Sequence, residues 1–449
     1  MFSVLPDWLI EICKAIRLLG GKGFLVGGCV RDRLLGYSIK DYDLEVYALP
    51  SQTLKELLEK FGKINVVGEQ FAVYKLQPKA AAPVEVDVSL PRRESKRSRG
   101  HRGFLIEGDP WMTFEEAVSR RDFTINAILQ DPLTESIIDP LCGVNDLVNR
   151  RLRVANPKTF KEDSLRVLRA AQLASRYNLS ITSETIKLCR ETALEDLPKD
   201  RVYKEFEKIL LFSPNPSIGL RYLQKLCVIQ RLFPSLIELQ SSPTMNTPYS
   251  QDTNWNYTLK SLERGKVVVE ALCIPKRISI LLAIIGIRLS LPNLVKFLDE
   301  LGIHTVQGYP VRRQVIGLRK VHLIPYKIFY QRLYRQIAII CFRRLGRIID
   351  LELLNYLCKA LYLESSEEFL FWLEEILKDL SSGNSQSLIT GHDVLSKGIK
   401  PGPKVKSILR QLQEFQIEGE VLTISEAQLL LEKLVRKNFQ ENELKNGQT

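Results

Sequence analysis

Two kinds of hydrophobic patterning follow one another along the chain. In the first 150 residues, the short apolar segment 24–26 and the alternating segments 43–47 and 84–88 predict β-strands. Between them, residues 51–58 begin with a capping residue and continue with helical spacing. This part of the sequence therefore predicts a small mixed α/β domain.

Beyond about residue 155 the pattern changes to apolar residues at three- and four-residue spacing, which is typical of amphipathic helices. Strand-like alternation is scarce in this part. The segments with helical spacing are residues 164–177, 183–190, 201–211, 217–226, 351–363 and 366–380.

Polar breaks divide the helical part. Residues 241–252 and 381–385 predict loops, and residues 440–449 predict a frayed polar end. Together with the change near residue 155, the breaks predict an α/β head followed by a helical neck, body and tail. The predicted bounds are 1–150, 151–215, 216–380 and 381–449.

Composition narrows the class of protein. The 449 residues are 45% hydrophobic and 26% charged, which excludes disorder over most of the chain. The net charge of +12 favours a polyanionic partner, and nucleic acid is the first candidate. The apolar segment 278–287 is too short to cross a membrane, and the N-terminal segment does not have the pattern of a signal peptide. Eight scattered cysteines without a C-x-x-C pair predict a reducing, cytosolic location.

Candidate chemistry begins with a pair of carboxylates. Asp41 and Asp43 are two residues apart at the start of a predicted strand, so both side chains point to one face. Two neighbouring carboxylates repel one another unless a cation lies between them, and Mg²⁺ suits such a pair. Just upstream, the predicted strand ends at Gly27 and Gly28, where backbone N–H groups can approach a phosphate and Arg31 adds charge. The combination predicts nucleotide transfer.

At these residues the chain resembles the class II, bacterial-type CCA-adding tRNA nucleotidyltransferases and their poly(A) polymerase relatives, in the polymerase-β-like superfamily. The motifs that carry the resemblance, in the order of the family, are F-L-V-G-G-C-V-R-D (24–32), K-D-Y-D-L-E-V (40–46), R-R-D-F-T-I-N-A (120–127), D-P-L-C-G-V-N-D-L (139–147), E-D-S-L-R-V-L-R (162–169), R-V-Y-K-E (201–205) and G-H-D-V-L-S-K-G-I-K-P-G-P-K (391–404).

The resemblance implies a nucleotidyltransferase head with a mixed sheet, followed by an all-helical neck, body and tail. It also implies Mg²⁺-dependent addition of C, C and A to tRNA 3′ ends from CTP and ATP, without a nucleic-acid template. By the same resemblance, Gly28 and Arg31 cradle the triphosphate, and Arg121 faces the triphosphate or the ribose. Asp122 and Asn126 could position the sugar hydroxyls, although a helix N-cap region would also account for Asp122, and Arg169 reaches a phosphate or the ribose.

Base selection is assigned to Asp163 and Arg166, expected as i,i+3 neighbours on a helix that starts near Glu162. A carboxylate accepts from the exocyclic amine, and a guanidinium donates to the ring nitrogen, of both cytosine and adenine. Uracil and guanine present a carbonyl and a ring N–H, so each leaves buried polar groups unpaired. A surface ion pair is the alternative interpretation of this spacing.

Two features of the head remain open between alternatives. A third carboxylate that takes the proton from the attacking hydroxyl is either Asp87 or Glu85, which lie on one face of a predicted strand. The basic segment 92–104 is expected to be a mobile loop that faces the active site and helps to switch specificity, although a solvated charge run has the same composition.

The sequence also departs from the family pattern. Gln172 stands where the pattern has an arginine. Residues 255–259 and 283–286 resemble an HD phosphohydrolase segment that lacks its metal-binding histidine and aspartate, so we predict no hydrolase site there. Residues 67–71 carry an acid where poly(A) polymerases of this class carry a basic pair, which favours CCA addition.

The predicted function is therefore CCA addition to tRNA. The alternatives, in order, are an enzyme that adds only A or only CC, a poly(A) polymerase, and an inactive RNA-binding protein on the same scaffold. The oligomeric state is not predicted.

Overall fold

The computed structural model describes residues 4–39, 41–66, 73–81, 84–96, 104–240, 253–332, 335–362, 366–381, 388–418, 421 and 423–446. The chain divides into two compact units, which are described in turn. The first unit comprises Met1–Ile237 and Glu300–Gly302, and the second comprises Glu238–Asp299 and Ile303–Thr449.

The first unit begins with a mixed sheet. Within the described residues, seven strands pair in the order β3-β4-β5-β2-β1-β8-β9, with β2 and β5 parallel and the other neighbours antiparallel. Separate two-stranded sheets pair β6 with β7 and β10 with β11. The strands are β1 (Lys22–Val26), β2 (Tyr42–Tyr47), β3 (Gly62–Val66), β4 (Val73–Pro78), β5 (Val86–Ser89), β6 (Arg92–Lys96), β7 (Phe104–Gly108), β8 (Leu129–Gln130), β9 (Ile137–Ile138), β10 (Arg151–Leu152) and β11 (Ser180–Ile181).

The first unit also contains α-helices, and its helical part is formed by α6 and the helices that follow it in sequence. They are α1 (Asp7–Leu18), α2 (Gly28–Leu34), α3 (Ser51–Phe61), α4 (Phe114–Ser119), α5 (Gly143–Val148), α6 (Leu165–Tyr177), α7 (Ser183–Glu191), α8 (Lys199–Phe212), α9 (Pro216–Lys225) and α10 (Val228–Leu232). The structure thus confirms the predicted strands at 24–26 and 43–47 and the predicted helices at 51–58, 164–177, 183–190, 201–211 and 217–226. The strand predicted at 84–88 begins only at Val86.

Sheet topology determines what meets at the ends of the central strands. Antiparallel pairing places Leu25 of β1 opposite Leu44 of β2, so the end of β1 lies beside the beginning of β2. Parallel pairing places Asp43 of β2 next to Asp87 of β5. The glycines that follow β1 and the carboxylates of two further strands therefore gather at one edge of the sheet.

The helix of the fifth motif starts later than expected. Residues 160–162 form a 3-10 turn, and α6 begins at Leu165. Asp163 is extended, with φ −121° and ψ 101°, and its Oδ1 accepts a hydrogen bond from the Leu165 N–H at 3.1 Å. The prediction that Asp163 and Arg166 are i,i+3 neighbours on one helix is wrong, because the carboxylate of Asp163 bonds the backbone ahead of that helix.

Part of the basic segment is also not a loop. Residues 92–96 pair with residues 104–108 as the antiparallel strands β6 and β7. Arg93 forms ion pairs with Asp109 at 3.1 Å and with Glu116 at 3.6 Å, so its charge is balanced within the head. The loop prediction is therefore wrong for 92–96, and residues 97–103 lie outside the described residues, as do residues 67–72 and 241–252.

The second unit consists of helices in its described residues, and α12 lies at its centre. Helices α11, α14 and α17 pack around the apolar α12. The helices of this unit are α11 (Asn254–Val268), α12 (Ile274–Gly286), α13 (Leu291–Glu300), α14 (Val311–Val321), α15 (Ile324–Tyr330), α16 (Arg335–Gly346), α17 (Leu351–Tyr362), α18 (Glu367–Ser381), α19 (Gly391–Ser396), α20 (Pro403–Glu418) and α21 (Ile424–Asn446).

The HD-like segments lie in this core. Residues 283–286 are buried in α12, and the ring of Tyr257 lies under the guanidinium of Arg288, with 4.1 Å from Cζ to the ring centroid. The predicted loss of hydrolase activity stays a prediction. At the far end of the chain, α21 continues to Asn446, so the prediction of a frayed end is wrong for residues 440–446. No helix in the described part of the chain is long and apolar enough to cross a membrane.

His322, just after α14, predicts a pH dependence of stability. Burial and the neighbouring charges of Arg319 and Arg288 lower its pKa from 6.5 to about 4, against the favourable hydrogen bond from its Nδ1 to the Arg319 carbonyl at 2.8 Å. Between these values the unfolded chain binds a proton that the folded chain does not. The free energy of unfolding is therefore not reduced by His322 above pH 6.5. It decreases as the pH falls towards 4, by at most about 3 kcal/mol.

We expect His322→Asn to flatten the dependence of the free energy of unfolding on pH between 6.5 and 4. Chemical denaturation of the full chain at several pH values measures this slope. The exposed His304 provides the matched control, because His304→Asn should leave the slope as in the wild type. Equal slopes for wild type and His322→Asn would contradict the prediction.

Candidate active site

Three aspartates lie at the sheet edge formed by β2 and β5. Asp41 is exposed at the bend that precedes β2, Asp43 is in β2, and Asp87 is its register partner in β5. Neighbouring residues of paired strands point to the same face, so Asp87 stands beside Asp43. Both Asp87 and Glu85 form ion pairs with Lys75, at 3.2 and 2.6 Å. Register favours Asp87 over Glu85 as the third carboxylate, because Glu85 precedes β5.

The electrostatics of Asp43 show that this group fits a cation. Burial raises the pKa of Asp43 to about 6, and the charges of Asp87, Asp41 and Glu45 add to the rise, while Arg121 opposes it. One guanidinium thus does not offset the repulsion among the acids, and a divalent cation would. Among the described residues no three His, Cys, Asp or Glu side chains form a ready-made metal site, so the fit rests on the chemistry of these carboxylates.

Glu45 is a site residue that the sequence analysis missed. Its carboxylate is 1% exposed and accepts hydrogen bonds from Arg120 at 2.8 Å, Arg121 at 3.2 Å and the Tyr47 hydroxyl at 2.7 Å. Burial alone would raise its pKa, but Arg121 and Arg120 outweigh burial and hold the pKa below its ordinary value. The period-two sequence from Asp41 through Asp43 was the available signal. Glu45 positions Arg121 beside the aspartates.

Gly27 brings the end of β1 close to both charges. Its φ of 72° lies in the region that favours glycine, and a Cβ at this position would lie 3.1 Å from Nη1 of Arg121 and 3.7 Å from Oδ2 of Asp43. Gly28, the first residue of α2, packs against Arg31, since a Cβ there would lie 3.4 Å from Nη2 of Arg31. The turn leaves room for the two charged groups on either side of the backbone.

We expect Gly27→Ala to destabilise the protein by about 1–3 kcal/mol through backbone strain. It should also reduce nucleotide addition, because the methyl group displaces the Arg121 guanidinium. Gly36→Ala is the matched control, since Gly36 has φ 78° and no heavy atom within 4 Å of the place that a methyl group would take. Denaturation and steady-state kinetics of both variants test this. An equal loss of activity in the two variants would show that strain alone is responsible.

Arg31 lies deeper in the protein than a simple triphosphate ligand would. It is 5% exposed, and its guanidinium donates to Asp32 at 2.7 Å, Asn126 at 2.6 Å and the Tyr177 hydroxyl at 2.5 Å. The guanidinium also stands 4.3 Å from the centroid of the Tyr177 ring. Arg31 thus joins α2 to α6 and contributes positive charge from within the wall of the site.

Asp122 and Arg169 form a second buried network. Oδ2 of Asp122 accepts from Nε of Arg169 at 2.8 Å, and Oδ1 accepts from Asn126 at 2.9 Å and from the Phe123 N–H at 2.8 Å. Although burial opposes it, the charge of Arg169 keeps the pKa of Asp122 below its ordinary value. The carboxylate is therefore an anion that holds Arg169 and Asn126 in place.

Arg166 is fixed by backbone groups. Its Nη1 donates to the Thr159 carbonyl at 3.0 Å and its Nη2 to the Arg120 carbonyl at 2.7 Å, and the residue is 8% exposed. These bonds set the plane of the guanidinium, which has five N–H donors in all. Asp163 and Arg166 both line one cleft, whereas the residues of a surface ion pair would lie outside any cavity.

Two neighbouring cavities of the first unit collect these side chains. The first, which we call the nucleotide cleft, has a volume of about 460 Å³ and includes Asp43 together with seven other residues predicted for the site: Gly28, Arg31, Arg121, Asp122, Asp163, Arg166 and Arg169. The second has about 580 Å³ and contains Asp41, and it shares Gly28, Arg31, Asp43, Arg176 and Lys208 with the cleft. Asp87 lines neither cavity. Arg176, Tyr177 and Lys208 belong to the site and were not anticipated.

Two stretches of the chain that contain or adjoin this site are similar to known families. Residues 23–153 match the family described as the poly A polymerase head domain, and residues 178–239 match the one described as a probable RNA and SrmB-binding site of polymerase A. Two stretches in the first half of the chain are thus similar to the poly A polymerase family. The two matched regions carry every predicted site residue except Asp163, Arg166 and Arg169, which lie between them.

Curated relatives of this family are similar to the same half. The multifunctional CCA protein of Stenotrophomonas maltophilia (strain K279a) is 41% identical over 230 residues, which is 49% of this chain and 53% of that protein. That of Pasteurella multocida (strain Pm70) is 36% identical over 257 residues, 56% of this chain and 58% of that protein. The chain spans about half the length of the curated relatives it matches.

Solved structures extend the likeness in fold to the rest of the chain. The Thermotoga maritima CCA-adding enzyme, solved as a complex with tRNA, superposes with a TM-score of 0.65 at 20% identity and covers 97% of both chains. The Bacillus stearothermophilus CCA-adding enzyme in complex with CTP gives a TM-score of 0.63 at 20% identity, covering 98% of this chain and 100% of that one. The fold class predicted from the sequence, an α/β nucleotidyltransferase head followed by helices, is confirmed.

Proposed function

We propose that this protein is a tRNA nucleotidyltransferase that adds C and A residues to the 3′ CCA end of tRNA from CTP and ATP, without a nucleic-acid template. The observation that carries the proposal is one cleft that is lined both by Asp43 with the glycine turn and by Asp163 with Arg166. The names of the relatives, multifunctional CCA proteins and CCA-adding enzymes, support the same activity.

Asp41 and Asp43 would hold Mg²⁺, since a hard cation prefers carboxylates and phosphate oxygens. When bound, the ion supplies charge neutralisation at the triphosphate and lowers the pKa of the attacking hydroxyl. Asp87 stands beside Asp43 and is proposed to accept the proton from the tRNA 3′-hydroxyl. The side chain of Asp87 pairs with Lys75 but is 45% exposed, so the proton that it accepts can pass to solvent water.

Cationic side chains of the site bind the triphosphate in this proposal. Arg121, held by Glu45, stands at the glycine turn, and Arg31 adds charge from behind Gly28. Arg169 is oriented by Asp122 and contacts the ribose or a phosphate. Each of these cations is fixed by a buried partner before substrate binds, which lowers the reorganisation needed during the reaction.

Base choice follows from the other end of the cleft. Arg166 donates to the ring nitrogen of cytosine or adenine, and Asp163 accepts from the exocyclic amine. The backbone carbonyls of Thr159 and Arg120 hold the Arg166 guanidinium in one plane, as discrimination between bases requires. Uracil and guanine would each place a ring N–H against that guanidinium.

The predicted head, neck, body and tail are proposed as working domains. The seven-stranded sheet supports a catalytic head at 1–150, and α6 supports a base-selecting neck at 151–215. Residues 216–380 would bind tRNA through their basic helices, and a separate apolar cluster that includes Val394, Ile408 and Leu431 supports a tail at 381–449. Because the substrates are tRNA, CTP and ATP, we place the reaction in the cytoplasm.

The deciding experiment offers the purified full chain three tRNA substrates, ending before the CCA, after the first C and after both Cs. Each is tested with every one of the four nucleoside triphosphates and Mg²⁺, and the products are measured by length. We expect C, C and A in that order, and no extension of tRNA that already ends in CCA. Addition to one substrate alone would indicate an A-adding or CC-adding enzyme. Long A tails on unrelated RNA would indicate a poly(A) polymerase, and no addition would contradict the proposal.

A further inference from the structure

One face of α6 runs along the nucleotide cleft. Arg166, Arg169, Gln172 and Arg176 follow one another at helical spacing and all line this cavity. At about 1.5 Å per residue, Gln172 lies about 9 Å along the axis from Arg166 and about 6 Å before Arg176. Arg166 is at the end proposed to take the base, and Arg176 lines both cavities together with Asp43. Gln172 therefore lies between Arg166, where the base is proposed to bind, and Arg176, and a nucleotide bound in this direction would place its ribose near Gln172.

Gln172 differs from its neighbours on this face in its hydrogen bonding. It is 4% exposed, and its Nε2 is buried without a hydrogen-bond partner. Arg166 and Arg169, by contrast, bond backbone carbonyls and Asp122. A buried donor without a partner costs free energy, and an acceptor that arrives with a ligand removes this cost.

The chemistry of the amide indicates which part of a nucleotide it suits. A neutral amide both donates and accepts, as a ribose hydroxyl does, whereas it brings no charge to a phosphate. A half-turn of the terminal amide exchanges Nε2 and Oε1, so either group can face the cleft. The arginine found in the family pattern at this position can only donate, so this chain has a different hydrogen-bonding group at the level of the ribose.

We propose that Gln172 is a specificity-determining residue that hydrogen-bonds a ribose hydroxyl of the bound nucleoside triphosphate and favours this nucleotide over the analogue that lacks that hydroxyl. This inference rests on the proposed function for the identity of the ligand and for the position of its base beside Arg166. Its physical basis is the partnerless amide in the wall of the cleft.

Equilibrium binding of ATP, 2′-deoxyATP and 3′-deoxyATP to the full chain tests the proposal. Wild type should bind the analogue that lacks the contacted hydroxyl roughly tenfold more weakly than ATP. Gln172→Met, similar in size but without the amide, should lose this preference by binding ATP roughly tenfold more weakly while its affinity for that analogue is unchanged. Identical preferences for ATP over both analogues in wild type and variant would overturn the proposal.

Two controls separate this role from a structural one. Gln130 is a buried glutamine of β8 that lines neither cavity and whose Nε2 donates to the Glu135 carbonyl at 3.4 Å, so Gln130→Met should leave the preference as in wild type. Without nucleotide, the Tm of Gln172→Met should equal or exceed that of wild type, because an unpaired donor has been removed. A lowered Tm with an unchanged preference would assign Gln172 to packing and overturn the proposal.

Binding is measured without tRNA so that two failures can be told apart. If the protein adds no nucleotide to tRNA but Gln172→Met loses the preference for the ribose hydroxyl, the proposed function fails and this inference stands. If CCA addition occurs and the preference is unaffected by the substitution, only this inference fails. If wild type binds none of the three nucleotides, both fail.

Discussion

Replacement of Asp43 by Asn is expected to reduce nucleotide addition by at least about a thousandfold, because metal-dependent charge stabilisation contributes several kcal/mol. Asp43 stands at the junction of both cavities, beside Asp87 and next to the glycine turn. The substitution keeps the size of the side chain and removes its charge. Binding of tRNA should survive, since that surface is proposed to lie in the helical part. Single-turnover kinetics and a tRNA-binding titration measure the two effects.

Asp131→Asn is the matched control for this prediction. Asp131 is a buried acid of the same unit that pairs with Arg17 at 2.7 Å and lines neither cavity. The Asp131→Asn variant should have a lower free energy of unfolding than wild type and an unchanged rate of nucleotide addition. The same experiment on Asp41→Asn should match Asp43→Asn. Normal turnover by either variant of the pair would show that these carboxylates do not hold the metal.

Arg166→Ala is expected to change base selectivity rather than only the rate. The substitution removes the donor to the ring nitrogen of C and A, and it removes the group that opposes the ring N–H of U and G. The discrimination against U and G should therefore shrink by about 1–3 kcal/mol, or roughly ten- to hundredfold in relative kcat/KM. Asp163→Ala should act in the same direction through the exocyclic amine. The measurement is kcat/KM for all four triphosphates.

Stability must be separated from selectivity for this variant. Arg166 also donates hydrogen bonds to the carbonyls of Thr159 and Arg120, so its removal should lower the free energy of unfolding. Arg153→Ala loses comparable contacts, to Asp146 and to the Leu141 carbonyl, at a position outside the cleft. We expect it to be destabilised with unchanged selectivity. An equal fall for all four triphosphates in Arg166→Ala would rule out base selection by this residue.

Local patterns in the sequence predicted much of the fold because they depend on near neighbours. A short apolar run predicted β1, alternation predicted β2, and three- and four-residue spacing predicted α6, α7, α8 and α9 to within two residues at either end. Only the motif at 162–169 was placed on a helix that starts too early, near Glu162, because Asp163 satisfies the Leu165 N–H from an extended conformation and the local sequence does not distinguish this from a helical turn.

The candidate site was also predicted only in part from the sequence. Motif resemblance predicted eight residues that line one cleft, but it treated Arg31 and Asp122 as ligands of the nucleotide. In the structure, each is engaged by protein partners, Asp32, Asn126 and Tyr177 for Arg31 and Arg169 with Asn126 for Asp122. The bonds of Arg31 to Asn126 and Tyr177, and of Asp122 to Arg169, join residues 47 to 146 positions apart, which local spacing does not reveal.

Sequence patterns and motifs predicted the resemblance to the family, the order of an α/β head and a helical part, and residues that line one cleft. Only the tertiary structure decided that Asp87 rather than Glu85 stands beside Asp43, that Glu45 holds Arg121, and that Gln172 lies partnerless in the cleft. The physical reason is that strand register and the closure of α6 against the sheet bring together groups far apart along the chain. Burial among those groups then sets which charges are balanced, and this depends on packing in three dimensions.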